Sequence, residues 1–87
     1  MNYETVRKME SEIMKAFEND NSRDIMDEIK TVLLSYLPCL EISVTLHGEF
    51  IRIGGRNFQP SGSLEYIEVQ QEFKNKLVNF LYDKGLI

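Results

Sequence analysis

One cysteine and one histidine are present, the pair that could act as a nucleophile and its general base. Cys39 follows Pro38 in a predicted helix-to-strand connection, and His47 lies at the far end of the next predicted strand. Eight strand residues at about 3.3 Å each would separate the two side chains by roughly 25 Å. We therefore predict no Cys–His catalytic pair, a small buried apolar Cys39 and an exposed His47.

Acidic residues cluster near the start of the second predicted helix, where carboxylates could hold a metal ion or transfer protons. Their spacing does not match a calcium-binding loop, and one His with one Cys is too few for the usual zinc ligands. We interpret the cluster as a solvated face whose charges favour the helix N-terminus. The sequence therefore predicts no metal, no cofactor and no enzyme. The cluster comprises Asp20, Asp24, Asp27 and Glu28.

Aromatic, polar and guanidinium groups combine in the middle of the chain. The stretch Arg52–Arg56 contains Gly54-Gly55, but it lacks the frame of a phosphate-binding loop and lies between predicted strands. We interpret the two glycines as a hairpin turn. Because aromatic rings and arginines are enriched at protein interfaces, the region predicts a partner-binding surface. Its candidate residues are His47, Phe50, Arg52, Arg56 and Asn57.

Length and charge restrict the classes of protein that fit. The 87 residues predict a single domain, residues 1–87, because a shorter half could not build its own core. The net charge of −4 argues against a general polyanion binder. No apolar stretch approaches the roughly 20 residues needed to span a bilayer. With no signal-peptide pattern and one cysteine, we expect a cytoplasmic protein.

Apolar residues at helical spacing predict two N-terminal helices joined by a turn at 19–22. The first should run from about Tyr3 to Asn19 with Asn2 as its N-cap. The second should run from about Arg23 to Tyr36 with Asn21 or Ser22 as its N-cap. The core stripes are Val6, Met9, Ile13, Ala16 and Phe17 in the first helix, and Ile25, Ile29, Val32, Leu33 and Tyr36 in the second. Met14 and Met26 lie off these stripes and could be exposed.

Alternating residues from 42 to 59 predict an antiparallel meander. Of three registers tested, only a two-residue type II′ turn at Gly48-Glu49 keeps the apolar residues on one face, and it pairs Leu46 with Ile51. It also pairs Val44 with Ile53. A second turn at Gly54-Gly55 would add a short strand with Ile51 opposite Phe58 and Arg52 opposite Asn57. The core face is then Ile42, Val44, Leu46, Ile51, Ile53 and Phe58, and the other face is Ser43, Thr45, His47, Phe50, Arg52, Asn57 and Gln59.

A third helix is predicted after Ser61 or Ser63, one of which should be its N-cap, and Gly85 should end it. Its core stripe is Tyr66, Val69, Phe73, Leu77 and Phe80, broadened by Ile67 and Leu81. The predicted fold is therefore α+β, in the order α-α-β-β-(β)-α. It consists of a small antiparallel meander with three helices packed mainly on one face.

Three function classes remain open. The first is a small acidic, non-enzymatic protein-interaction module, such as a regulatory or inhibitory accessory protein of bacteria or their viruses. It would bind a protein partner and could form a homo-oligomer, because one of the three apolar stripes could face another chain. The order helix-strand-strand-strand-helix over about 23–82 resembles that of double-stranded RNA-binding domains, which implies a nucleic-acid-binding alternative on the exposed sheet face. Those domains have basic residues near the start of the last helix, where this chain has Glu65 and Glu68. A small enzyme is the third class.

Overall fold

The computed structural model describes residues 1–19 and 21–87, and within them the predicted α+β order is confirmed, including the third strand. The helices are α1 (Tyr3–Ala16), α2 (Ser22–Tyr36) and α3 (Ile67–Asp83). The strands are β1 (Ile42–Val44), β2 (Ile51–Ile53) and β3 (Arg56–Phe58), in the sheet order β1-β2-β3. α2 lies against β1, α3 lies against β3, and α1 contacts both of these helices.

Side chains cap the first two helices as predicted. The Asn2 side-chain oxygen accepts a hydrogen bond from the Thr5 backbone N–H at 2.8 Å, and Asn21 does the same for Arg23 at 2.9 Å. α1 ends at Ala16, earlier than expected, and Phe17 is its C-cap. Predicted residue Asp20, in the turn and in the acidic cluster, lies outside the described residues.

The start of α3 was predicted wrongly. The Ser63 hydroxyl accepts the Glu65 N–H at 3.2 Å and the Ser63 carbonyl accepts the Tyr66 N–H at 3.3 Å, so Ser63 forms a separate turn. The helix begins only at Ile67, and Tyr66 and Ile67, both predicted in the core, are exposed. The predicted end of α3 at Gly85 is confirmed. Gly85 has φ +70°, and the N–H of Leu86 donates a hydrogen bond to the carbonyl of Leu81 at 2.9 Å.

The β2–β3 hairpin has the predicted register. Ile51 pairs with Phe58 and Arg52 pairs with Asn57. Gly54 and Gly55 have φ values of +56° and +85°, as a two-residue type I′ turn requires.

The predicted β1–β2 register is wrong by two residues, because Val44 pairs with Ile51 and not with Ile53. The hairpin closes with a four-residue loop, 46–49, in place of the predicted two-residue turn. The Thr45 carbonyl accepts the Gly48 N–H at 3.0 Å, and the Thr45 hydroxyl accepts the N–H of Glu49 at 2.8 Å. A shift of two preserves which residues share a face, but it moves Leu46 into the loop. Leu46, predicted in the core, is therefore 74% exposed.

One apolar core lies between the sheet and the helices. The whole α1 stripe is buried, and so are Ile51, Ile53 and Phe58 of the sheet. Met26 is also buried, contrary to expectation, because α2 contacts α1 and β1 and so buries a wider arc than one stripe. An ion pair between Glu10 and Lys74, 2.9 Å long, joins α1 to α3 at the edge of this core.

Candidate functional site

The face of the sheet that lies away from the helices carries a row of three exposed polar side chains. Ser43, Arg52 and Asn57 are direct cross-strand neighbours, one from each strand. They alternate with the buried residues of β2, so they point to the opposite side of the sheet. With the half-buried Thr45 and Phe50 they form what we call the open face.

Arg52 lies at the centre of the open face, on the middle strand. Among the described residues its guanidinium makes neither an ion pair nor a contact with an aromatic ring. A depression of about 330 Å³ lies beside it, and Ser43, Glu41 and Gly54 help to line this depression. The free guanidinium presents five N–H donors in a planar fork, which matches a carboxylate or a phosphate.

The aromatic part of the predicted patch lies at one end of the open face. Phe50 precedes β2, and its carbonyl accepts the Thr45 N–H at 3.2 Å, so it continues the sheet by one pair. His47 is exposed in the loop 46–49, as predicted, but it lies beyond the last strand pair. The structure therefore brings Phe50, Arg52 and Asn57 onto one face and places His47 at its end.

Arg56 does not belong to this face. It pairs with the buried Ile53, so its side chain leaves the sheet on the helix side. Its guanidinium carbon lies 5.1 Å from the ring centre of Phe58 and 5.6 Å from that of Phe80. These two rings pack edge to face with centroids 5.0 Å apart, and Arg56 covers them as a cation–π partner. The predicted patch is thus divided between the two faces of the sheet.

Sequence reasoning missed an apolar groove of about 490 Å³ where α2 and α3 end. The groove is formed by three segments that are distant in sequence, so no local sequence pattern predicts it. Cys39 is exposed at this groove, which corrects the prediction of a buried thiol. In the segment between α2 and β1, Pro38 and Cys39 are exposed to solvent, while Leu37 and Leu40 pack against the core. The lining residues include Leu37, Leu40, Ile53, Phe80, Lys84 and Leu86.

Tyr36 borders the same groove and ties α2 to α1. Its hydroxyl donates a hydrogen bond to the Glu12 carboxylate. This bond, together with burial and the negative charge of Glu12, raises the pKa of Tyr36 above its usual value of 10.0. The phenol therefore stays neutral at physiological pH, and this part of the groove wall contributes no charge.

The remaining chemical candidates stay apart. Cys39 precedes β1 and His47 follows it, so the two lie at opposite ends of that strand. Asp24, Asp27 and Glu28 are exposed on α2, and Glu28 accepts a hydrogen bond from the Asn19 side chain. Across residues 1–19 and 21–87, no three His, Cys, Asp or Glu side chains are grouped closely enough to hold a metal ion. No described helix has the length and apolar character needed to cross a membrane.

Comparisons with protein-family models, with curated proteins and with solved structures found no match to this chain.

Proposed function

We propose that this chain is a small protein-binding module that docks a partner on its open face. The observation that supports this most directly is Arg52, an exposed guanidinium at the centre of the sheet face opposite the buried residues of β2. An antiparallel sheet can leave one face to water, and such a face is usually polar. On this one, the three-residue cross-strand row holds a single charge between Ser43 and Asn57.

The chemistry of the partner follows from that charge. A carboxylate facing Arg52 would form a bidentate, charge-assisted pair of hydrogen bonds, which is stronger than hydrogen bonds between neutral groups. Ser43 and Asn57 offer additional donors and acceptors on either side, and the half-buried Phe50 offers an aromatic contact. Glu41 borders the depression beside Arg52 and would need a hydrogen-bond donor opposite it. The partner is therefore a protein segment that presents an acidic side chain to Arg52.

Affinity capture with matched charge variants tests the proposal. The baits are the wild-type chain, Arg52→Glu and Lys8→Glu, because Lys8 is exposed on α1 and gives the same change in charge. We expect a protein that is retained by the wild type and by Lys8→Glu but not by Arg52→Glu. Titration of that purified protein against Arg52→Ala should then show a dissociation constant at least about tenfold weaker, the loss of one charged hydrogen bond. Identical capture by all three baits would overturn the proposal.

Nucleic acid is the competing occupant of the same face. The described order from α2 to α3 is the helix-strand-strand-strand-helix order noted in the sequence, but Glu68 lies in the first turn of α3. The net charge of −4 also disfavours a phosphate backbone. Titration with duplex RNA and duplex DNA at low salt decides between them: binding abolished by Arg52→Glu would replace the protein partner with a nucleic acid.

A further inference from the structure

The two outer strands of the sheet differ in how their free edges are protected. The bond from Gly54 N–H to the Glu41 carbonyl, 3.0 Å, and the bond from Thr45 N–H to the Phe50 carbonyl, 3.2 Å, fix which residues of β1 face β2. Along an antiparallel strand, the backbone N–H and C=O groups of successive residues point alternately to the two edges of the strand. Those of Ile42 and Val44 therefore point away from β2, to the free edge of the sheet. They have no backbone or side-chain partner among the described residues.

These backbone groups need a partner. Buried N–H and C=O groups are almost always hydrogen-bonded, so the outward groups of β1 must face water or another strand. Protein edges are usually blocked by a charge, a proline or a bulge, and Ile42–Val44 contains none of these. β3 carries such protection within its own span, because Arg56 lies on it, whereas the charge nearest to β1, Glu41, lies just before that strand. β1 is therefore the edge that is open to strand addition.

The sequence around β1 is complementary to itself. From Leu40 to Leu46 the even positions are apolar and the odd positions are polar, and this pattern is symmetric about Ser43. Two copies paired antiparallel about Ser43 would place Ile42 opposite Val44 of the second copy, with their outward groups facing each other. No like charges become direct neighbours, because Glu41 would lie opposite Thr45.

We propose that β1 pairs with β1 of a second copy of this chain, which joins the two meanders into one six-stranded antiparallel sheet. The register brings Leu46 of each copy toward Leu40 of the other. This accounts for Leu46, which has the largest exposed fraction among the exposed large hydrophobic side chains of the described residues. Both open faces remain on the same side of the joined sheet, so partner binding at Arg52 does not depend on the pairing.

Charge variants at the symmetry axis test this pairing. Ser43 is exposed in the single chain but would lie directly opposite Ser43 of the second copy, where two like charges repel. Sedimentation equilibrium from about 10 µM to about 1 mM should show dimers of the wild type. Ser43→Lys should weaken self-association at least about tenfold. Asn57→Lys is the matched control, because it makes the same change beside Arg52 on the other outer strand, and it should dimerise like the wild type.

A mixing experiment separates repulsion from damage to the fold. Ser43→Glu alone should also weaken self-association, but by less than Ser43→Lys, because Arg52 lies opposite this position on β2. An equimolar mixture of the two should regain dimerisation, because opposite charges then meet at the axis. A wild-type chain that stays monomeric over the whole range would overturn the proposal. So would equal weakening by Ser43→Lys and Asn57→Lys, or a mixture that stays monomeric.

Discussion

The two hairpins of this protein share the strand β2, and each has glycine in its loop, yet only one register follows from local sequence. In the β2–β3 hairpin, Gly54 and Gly55 both have positive φ and form a type I′ turn. A two-residue turn of this kind leaves one possible register, and its twist matches that of the strands. The pairing of Arg52 with Asn57 therefore needs no information from the rest of the fold.

The loop of the β1–β2 hairpin makes a tertiary contact that its local sequence does not specify. Gly48 has φ +67°, and a Cβ built on it would lie 2.3 Å from the Cα of Arg23 in α2. The loop backbone thus lies directly against the start of a helix that is distant in sequence. Thr45 holds the other end of the loop, since its hydroxyl accepts the N–H groups of Glu49 and Phe50. The β2–β3 hairpin needs glycine for the positive φ of its turn, whereas the β1–β2 hairpin needs it both for a positive φ and for the close approach of α2.

The largest effect that this comparison predicts is that of Gly48→Ala. The new methyl group would overlap the backbone of Arg23 and would also strain a positive φ, so either the loop or α2 must move. We expect the free energy of unfolding to fall by at least about 3 kcal/mol, measured by urea denaturation at equilibrium.

Replacing the glycines of the β2–β3 hairpin with alanine separates the cost of backbone strain from the cost of steric overlap. Gly55 has φ +85°, and a Cβ at this position would meet nothing within 4 Å, while one at Gly54 would meet only the Phe80 ring at 4.0 Å. Gly55→Ala should therefore cost only the strain of a left-handed residue, about 1 kcal/mol. If Gly48→Ala were no worse than Gly55→Ala, helix packing would not determine the first hairpin.

Removal of the Thr45 hydroxyl should have an intermediate effect. Thr45→Val keeps the shape of the side chain but leaves the N–H of Glu49 and Phe50 without this acceptor. We expect a loss of about 1 kcal/mol in urea denaturation, while Thr45→Ser, which keeps the hydroxyl, should lose less. A loss in Thr45→Ser with none in Thr45→Val would show that the methyl group matters and that the hydrogen bonds do not.

Sequence patterns predicted the parts of the fold whose cause is local. The α1 stripe from Val6 to Phe17 is entirely buried, because a helix with one apolar face can turn only that face to a core. The start of α3 was not predictable, since the Ser63 side chain fits a helix cap and an isolated turn equally well. The position of Leu46 was predicted wrongly for a different reason. The strand residues alone favour the two-residue turn, but the loop also packs against α2, which is distant in sequence.

The candidate site was predictable in part. Arg52 and Asn57 followed from the Gly54-Gly55 turn, and the same register places Arg56 opposite Ile53, so its position on the helix side could have been derived. The apolar groove could not, because its walls include Leu40, Gly54 and Leu86 from three separate segments. Such a site depends on how helix ends meet a sheet, which periodicity does not specify.

The smallest predicted effect is that of Leu46→Ala, and it distinguishes the two registers directly. In the register predicted from sequence, Leu46 lies in the core opposite Ile51, and its truncation would cost about 2 to 5 kcal/mol. In the structure Leu46 is exposed, so the change should cost less than about 0.5 kcal/mol in dilute protein. Leu77→Ala, at a fully buried position of α3, is the matched control and should show the full core penalty. A large loss for Leu46→Ala would mean that the hairpin in solution has the two-residue turn at Gly48-Glu49, and that the contact between Gly48 and α2 does not form.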